Sequence, residues 1–286
     1  MMQTEVILIT GASSGIGYQT AKLAAERGHF VIATAPTEAL LSEVPDNASL
    51  KLVLNLCNEN TITHALKIIQ EKNITLSCLI NNAGYAQPGP VELVDDARLR
   101  KQFDVNVFGT MTLTRAVLPI LRKNNKGKII TLSSMLGLVS LPYQGVYAAS
   151  KHALEALFEA LRMEVKGFGI DVVLIEPGWI STAFLKTAMA QASKQWLQDP
   201  TYGDSLSKYF SISTEAETEK PTGAAKIAAA MAGSPERVAQ TVIRALEAKN
   251  PKARYPVTAM AKWLPRLSRV IPTNMWDKMQ TGQFTK

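Results

Sequence analysis

Six short runs dense in Val, Ile and Leu recur through the first part of the chain, with helical patterns between them. This alternation constrains the fold more than any other feature. The runs are Val6–Thr10, Phe30–Thr34, Leu50–Leu54, Cys78–Asn81, Lys128–Leu132 and Asp171–Glu176. They show little polar–apolar alternation, the pattern of strands buried on both faces. The helical patterns cover roughly Ile16–Arg27, Glu59–Lys72, Asp95–Lys123 and Tyr147–Gly167. Such a rhythm implies an α/β fold, a parallel sheet with helices on both faces. Pro119 lies inside the third helical pattern and is expected to kink it. The regularity stops after Gly178. Residues 183–232 are polar, then Ala-rich, and read as an insertion or lid. A helix over Pro235–Ala248 and a strand near Ala253–Val257 are expected to close the sheet within a single domain spanning residues 1–286.

The first run leads straight into Gly11-Ala-Ser-Ser-Gly15-Ile-Gly17 and then into a helix. Backbone N–H groups at a helix N-terminus placed in this way bind a pyrophosphate. Gly11, Ser13, Ser14, Gly15, Ile16 and Gly17 are therefore candidate dinucleotide-binding residues. The spacing is G-x-x-x-G-x-G; it is not G-x-G-x-x-G, and no Gly-Lys-Ser/Thr makes it a nucleoside-triphosphate loop. A dinucleotide site usually places an acid on the ribose hydroxyls at the end of the second strand. Here that end reads Thr34-Ala35-Pro36-Thr37, with neither an acid for NAD nor an Arg for a 2′-phosphate. Ala35 and Thr37 leave room for a phosphate that no carboxylate repels, which favours NADP over NAD.

Tyr147-Ala-Ala-Ser-Lys151 is a Y-x-x-x-K pair. On a helix the two side chains share one face. A free phenol has a pKa of about 10, and a nearby ammonium lowers it, which suits the tyrosine to exchange a proton with an alcohol or carbonyl. The motif alone is weak, because Tyr18-Gln-Thr-Ala-Lys22 matches it too. Only the first pair has a serine, Ser134, 13 residues upstream at the end of a buried strand. Its helix also starts at the carboxyl edge of the sheet, where ligands bind. Tyr18 reads as packing.

Taken together, Thr10-Gly-Ala-Ser-Ser-Gly-Ile-Gly17, Asn81-Asn-Ala-Gly84, Asn106 in Val105-Asn-Val-Phe-Gly109, Ser133-Ser134, Tyr147-x-x-x-Lys151 and Pro177-Gly-x-x-x-Thr182 resemble the short-chain dehydrogenase/reductase family, over about Glu5 to Thr182. The resemblance implies a Rossmann-type doubly wound parallel sheet and four catalytic roles. Tyr147 is the proton donor or acceptor. Lys151 binds the nicotinamide ribose and lowers the Tyr147 pKa, Ser134 hydrogen-bonds the substrate oxygen, and Asn106 holds a water in a proton relay to Lys151. It also implies that Asn82, Ala83 and Gly84 line the cofactor and that Pro177, Gly178 and Thr182 meet its nicotinamide end. Two positions depart from the family. Asn55, followed by Leu56, stands where an Asp often faces adenine, and the neutral Thr34–Thr37 run replaces the cofactor-selecting Arg or Asp.

The region from Ile80 to Phe184 is similar to the branch that includes hydroxysteroid and retinol dehydrogenases. A long lid in that branch shields an apolar substrate, and Met189, Trp196, Leu197, Tyr202, Leu206, Tyr209 and Phe210 are candidates for its wall. The alternative is that they anchor the lid to the body. The resemblance also implies a homodimer or homotetramer through the long helices Asp95–Lys123 and Tyr147–Gly167.

Composition removes several other classes. Hydrophobic residues make up 47% of the chain and charged residues 19%, which is ample for a core and argues against disorder. Cys57 and Cys78 are the two cysteines, so neither a disulfide framework nor a Cys/His metal site is expected. No run of about 18 apolar residues predicts a membrane span. No signal peptide precedes the first strand, and a cytoplasmic location is expected. The net charge of +7 suggests an acidic polymer as partner, but its location opposes that reading. From Lys249 onward there are eight of the 31 basic residues and one of the 24 acidic ones, so the excess belongs to this tail. Within it, Met260–Ile271 reads as a basic amphipathic helix interrupted by Pro265. Three readings stay open: packing on the core with its charges solvated, capping the pocket or a subunit, or contact with an anionic membrane surface. No DNA-binding motif accompanies it, and nucleic acid is not expected as a partner.

The expected function is hydride transfer between a nicotinamide cofactor, NADP in preference to NAD, and a secondary alcohol or carbonyl on an apolar small molecule. The alternative is a catalytically silent cofactor-binding sensor or scaffold of the same fold.

Overall fold

The computed structural model describes residues 4–180 and 183–282, apart from 217, 219, 224, 225, 227, 228 and 230. In chain order the elements begin β1 (Val6–Ile9), α1 (Gly15–Glu26), β2 (Phe30–Ala35), β3 (Leu50–Val53), α2 (Glu59–Glu71) and β4 (Cys78–Asn81). There follow α3 (Asp96–Phe103), α4 (Thr110–Lys123), β5 (Gly127–Leu132), α5 (Gly145–Glu164) and β6 (Ile170–Glu176). The last part comprises α6 (Ala183–Gln191), α7 (Gly203–Glu215), α8 (Pro235–Glu247), β7 (Arg254–Pro256), α9 (Ala259–Val270) and α10 (Thr273–Thr281).

The seven strands form one sheet in the order β3-β2-β1-β4-β5-β6-β7, and every neighbouring pair is parallel. Alternate residues of each strand face opposite sides. Leu8, Ile32, Leu79 and Ile129 join Leu113, Val117, Leu121, Leu154 and Phe158 of α4 and α5. Ile7, Ile9, Ile80 and Ile130 join Ala21 and Ala24 of α1 and Val238, Val242 and Leu246 of α8. Burial on both faces is why the strand sequences lack alternation.

The pattern read as one helix over Asp95–Lys123 is two. A six-residue π-type stretch, Asp104–Gly109, separates α3 from α4, and α4 continues through Pro119. The expected irregularity therefore sits upstream of the proline. A Cβ on Gly109 would lie 2.3 Å from the Leu56 carbonyl oxygen, so this wide turn rests directly on the loop after β3.

Residues 183–232 supply α6, a turn at Lys194–Gln198 and α7. Trp196, Leu206, Tyr209 and Phe210 are buried together against Leu93, Val94, Tyr143 and Met189. They anchor the segment to the body, the second of the two readings above. Leu197 is exposed, and the Tyr202 hydroxyl reaches Glu92 at 2.5 Å on the surface. None of the seven lines the central cleft.

Candidate active site

A cleft of about 470 Å³ opens at the carboxyl ends of the strands. It includes the place where strand order reverses, between β1 and β4, the usual ligand position in open α/β sheets. Gly11 and Gly15 have φ of +67° and +54°, which side chains rarely tolerate. A Cβ on Gly17 would lie 2.1 Å from the Gly11 carbonyl oxygen and 2.3 Å from the Asn82 amide nitrogen. The turn can close only on glycine. Ser13, Ser14 and Ile16 also line the cleft. Ser14 is the N-cap of α1, yet its side chain makes no capping bond and the first turn carries no acid. The helix N–H groups and positive dipole end are left for an anion, so this cradle fits a pyrophosphate.

Thr10 joins this turn to the next one. Its hydroxyl accepts the N–H groups of Asn82 and Ala83, each at 3.0 Å. Asn82 Nδ2 donates back to the carbonyls of Thr10 and Gly11 at 2.9 and 3.0 Å. Asn82, Ala83 and Gly84 line the cleft, as do Asn55 and Leu56. Asn55 Oδ1 accepts the Cys57 N–H at 2.9 Å and so helps close its own turn. Ala35 is wholly buried in the core and is not part of the wall; the next residue, Pro36, is. Pro177 and Gly178 line the cleft with Ile180 and Thr187, whereas Thr182 lies outside the described residues.

Ser134, Tyr147 and Lys151 meet in the cleft wall, and all three are buried. Ser134 stands just beyond β5; Tyr147 and Lys151 are one turn apart near the start of α5. Ser134 Oγ accepts the Leu136 N–H at 3.1 Å and hydrogen-bonds the Tyr147 phenol. Lys151 Nζ donates to the Leu132 carbonyl at 2.6 Å and lies 5.7 Å from the Tyr147 ring centroid. Burial pushes the Tyr147 pKa up, and the Ser134 hydrogen bond only partly opposes it. The direction here is set by loss of solvent, opposite to the lowering expected of a nearby ammonium. Burial also pushes Lys151 down to about 8, with Glu155 opposing.

Asn106, in the π-type stretch, is buried beside these residues. Its Oδ1 accepts the Tyr85 N–H at 3.1 Å, and its Nδ2 donates to the Tyr85 carbonyl at 3.0 Å and to Ser150 Oγ at 3.2 Å. The side chain thereby fixes the loop after β4 to α5. The decoy pair lies elsewhere: Tyr18 does not line the cleft, and Lys22 pairs with Glu26 at 3.9 Å on the exposed side of α1.

Some of the wall was not foreseen from sequence. Tyr85 and Ser133 both line the cleft, and each has a buried hydroxyl without a hydrogen-bond partner among the described residues. Adjacency was the available signal, since Tyr85 follows Asn82-Ala-Gly84 and Ser133 precedes Ser134. A charge cluster with two buried carboxylates, Glu155 and Glu176, lies behind Lys151. Arg254 of β7 binds Glu155 of α5, Glu176 of β6 at 2.8 Å and Glu159 at 3.2 Å.

Comparison with known proteins agrees with this geometry. The family described as short chain dehydrogenase matches residues 5–193. The chain is 35% identical over 277 residues to 3-ketodihydrosphingosine reductase of Bacteroides thetaiotaomicron, covering 96% of each chain. It is 33% identical over 284 residues to NADPH-dependent 3-dehydrocapnine reductase of Ornithobacterium rhinotracheale, covering 95% of this chain and 94% of that one. Among solved structures, a short-chain dehydrogenase from Streptomyces avermitilis superposes with a TM-score of 0.75 at 28% identity, covering 98% of this chain and 99% of that one.

Proposed function

The chain belongs to the short-chain dehydrogenase/reductase family, and on that premise we propose that it reduces the ketone of an apolar small molecule with NADPH, Tyr147 delivering the proton. Its class is settled by the family: an oxidoreductase acting on CH–OH and C=O groups with a nicotinamide cofactor. One observation carries the finer reading, the Ser134–Tyr147–Lys151 grouping in the wall of a cleft whose other end is an anion cradle.

The nicotinamide supplies the hydride when bound; the protein places the carbonyl and manages the proton. Ser134 Oγ accepts the Leu136 N–H and is paired with the Tyr147 phenol; with a carbonyl bound, its hydroxyl proton would turn to the substrate oxygen. Because burial keeps the Tyr147 phenol protonated, it acts as the acid for the developing alkoxide. Lys151, held by the Leu132 carbonyl, places positive charge beside the phenolate left behind. Gly11 to Gly17, Asn55, Leu56 and Asn82 to Gly84 would hold the cofactor, with Pro177, Gly178 and Thr182 at its nicotinamide end. Asn106 would keep the Tyr85 loop in register, with the relay water on the same residue.

Support for NADP is the wall at the end of β2, where Pro36 stands and the first carboxylate, Glu38, does not line the cleft. One relative is also named as NADPH-dependent. Support for an apolar substrate is the apolar part of the cleft wall, with Tyr85, Leu132, Pro177 and Ile180 among the residues that line it beside Tyr147. The exposed Phe108, Leu157 and Met163 on or beside α4 and α5 support a homo-oligomer through these helices. A paired titration with NADPH and NADH, followed by a ketone panel with the tighter cofactor, tests the reading. Preference for NADPH and turnover of apolar ketones are expected. Much tighter NADH binding refutes the cofactor assignment, and cofactor binding with no turnover across the panel returns the silent-scaffold alternative.

A further inference from the structure

The C-terminal helix α9 has three distinct faces. Met260, Ala261 and Leu264, together with Trp276 of α10, pack on the cluster that contains Tyr147. Trp263, Leu267 and Val270 recur at i, i+4 and i+7 and form an apolar stripe, with exposures of 54%, 45% and 77%. Lys262, Arg266 and Arg269 recur at the same spacing, one residue back, and form an exposed basic stripe beside it. Met275 and Met279 extend the exposed apolar surface into α10. Lys262 and Arg266 each lie 5.4 Å from the Trp263 ring, so aromatic and cationic groups adjoin.

We propose that this face docks the protein onto an anionic lipid surface, with the substrate end of the cleft held close to it. The inference goes beyond the proposed reaction and does not depend on it. A helix with one apolar face, one basic face and an interfacial Trp has the physical pattern for lying in a membrane interface. No helix among the described residues is long and apolar enough to cross a membrane, so the contact is peripheral. Charge selects among the possible occupants. Between Lys249 and Lys286 the only acid is Asp277. A two-fold contact with a second copy would set the basic stripe against itself, whereas anionic headgroups complement it. A nucleic acid would match the bases and leave the Trp263, Leu267 and Val270 stripe in water.

The test is co-sedimentation of the full chain with vesicles of phosphatidylcholine alone and with phosphatidylglycerol added, with Trp fluorescence read in parallel. Expected are binding to the anionic vesicles only, loss of binding as NaCl rises, and a blue shift that Trp263→Phe removes. Changing Lys262 and Arg269 to Gln should weaken binding about fivefold per charge removed, and Leu267→Asp should abolish it. The thermal unfolding midpoint should stay unchanged in these variants, which shows that they fold. No binding to anionic vesicles, or equal binding to both kinds, overturns the proposal. So does a concentration-dependent self-association in sedimentation velocity that Leu267→Asp abolishes, or binding to duplex DNA that matches the vesicle binding and is insensitive to Leu267→Asp.

Discussion

The Lys151 ammonium stands 5.7 Å from the centroid of the Tyr147 ring, one helical turn along α5. Both side chains are buried, and burial moves their pKa values in opposite directions. Burial pushes Lys151 down to about 8, so it is cationic below that value. kcat/KM for ketone reduction should therefore be level below about 8 and fall above it, as the ammonium loses its proton. Lys151→Arg keeps its charge throughout this range. Its absolute rate should be lower, and its alkaline fall should disappear. A fall at the same pH in Lys151→Arg would assign the titration to another group.

Gly17→Ala tests the cofactor cradle. The added methyl would lie 2.1 Å from the Gly11 carbonyl oxygen and 2.3 Å from the Asn82 amide nitrogen. Backbone must move, and with it the turn that presents the N–H groups of α1. NADPH affinity should drop by at least about tenfold, equivalent to about 1.4 kcal/mol. Fluorescence titration with NADPH gives the answer, and wild-type affinity would mean that the cofactor sits elsewhere.

Arg254 joins β7 to α5 and β6 by binding Glu155 and Glu176, whose side chains are only 6% and 4% exposed. Arg254→Met leaves these carboxylates buried without a counter-charge, a change that costs about 3–5 kcal/mol. Burial already holds the Glu176 carboxyl above its ordinary range with Arg254 opposing, so loss of Arg254 should raise it further above its unfolded value. Stability from such groups is present below the unfolded pKa and lost as pH rises through the folded one. The deficit should be greatest near neutral pH and shrink on acidification. Urea unfolding of both proteins at several pH values checks this, and a deficit independent of pH would contradict it.

What was legible in the sequence was local. Strand burial shows in the Val, Ile and Leu runs, and the glycine loop and the Tyr147–Lys151 pair show in their spacing. What was not legible depends on distance or on backbone. The partner of Lys151 is the Leu132 carbonyl, which no residue identity reveals. Glu155 and Arg254 are 99 residues apart and meet only because β7 pairs with β6. The break at Asp104–Gly109 falls within an uninterrupted helical pattern. The direction of the Tyr147 shift required its burial as well as its neighbour. Trp196 also carries no sign of its role: it covers Gly89, where a Cβ would lie 2.5 Å from its ring.

The most direct measurement compares cofactor binding and turnover in Tyr147→Phe. This variant keeps the ring and removes the hydroxyl that Ser134 binds. NADPH affinity should match the wild type, while kcat for ketone reduction should fall by about 10²- to 10⁴-fold, the contribution of a positioned acid. Wild-type turnover in Tyr147→Phe would contradict the assignment of the proton to this residue.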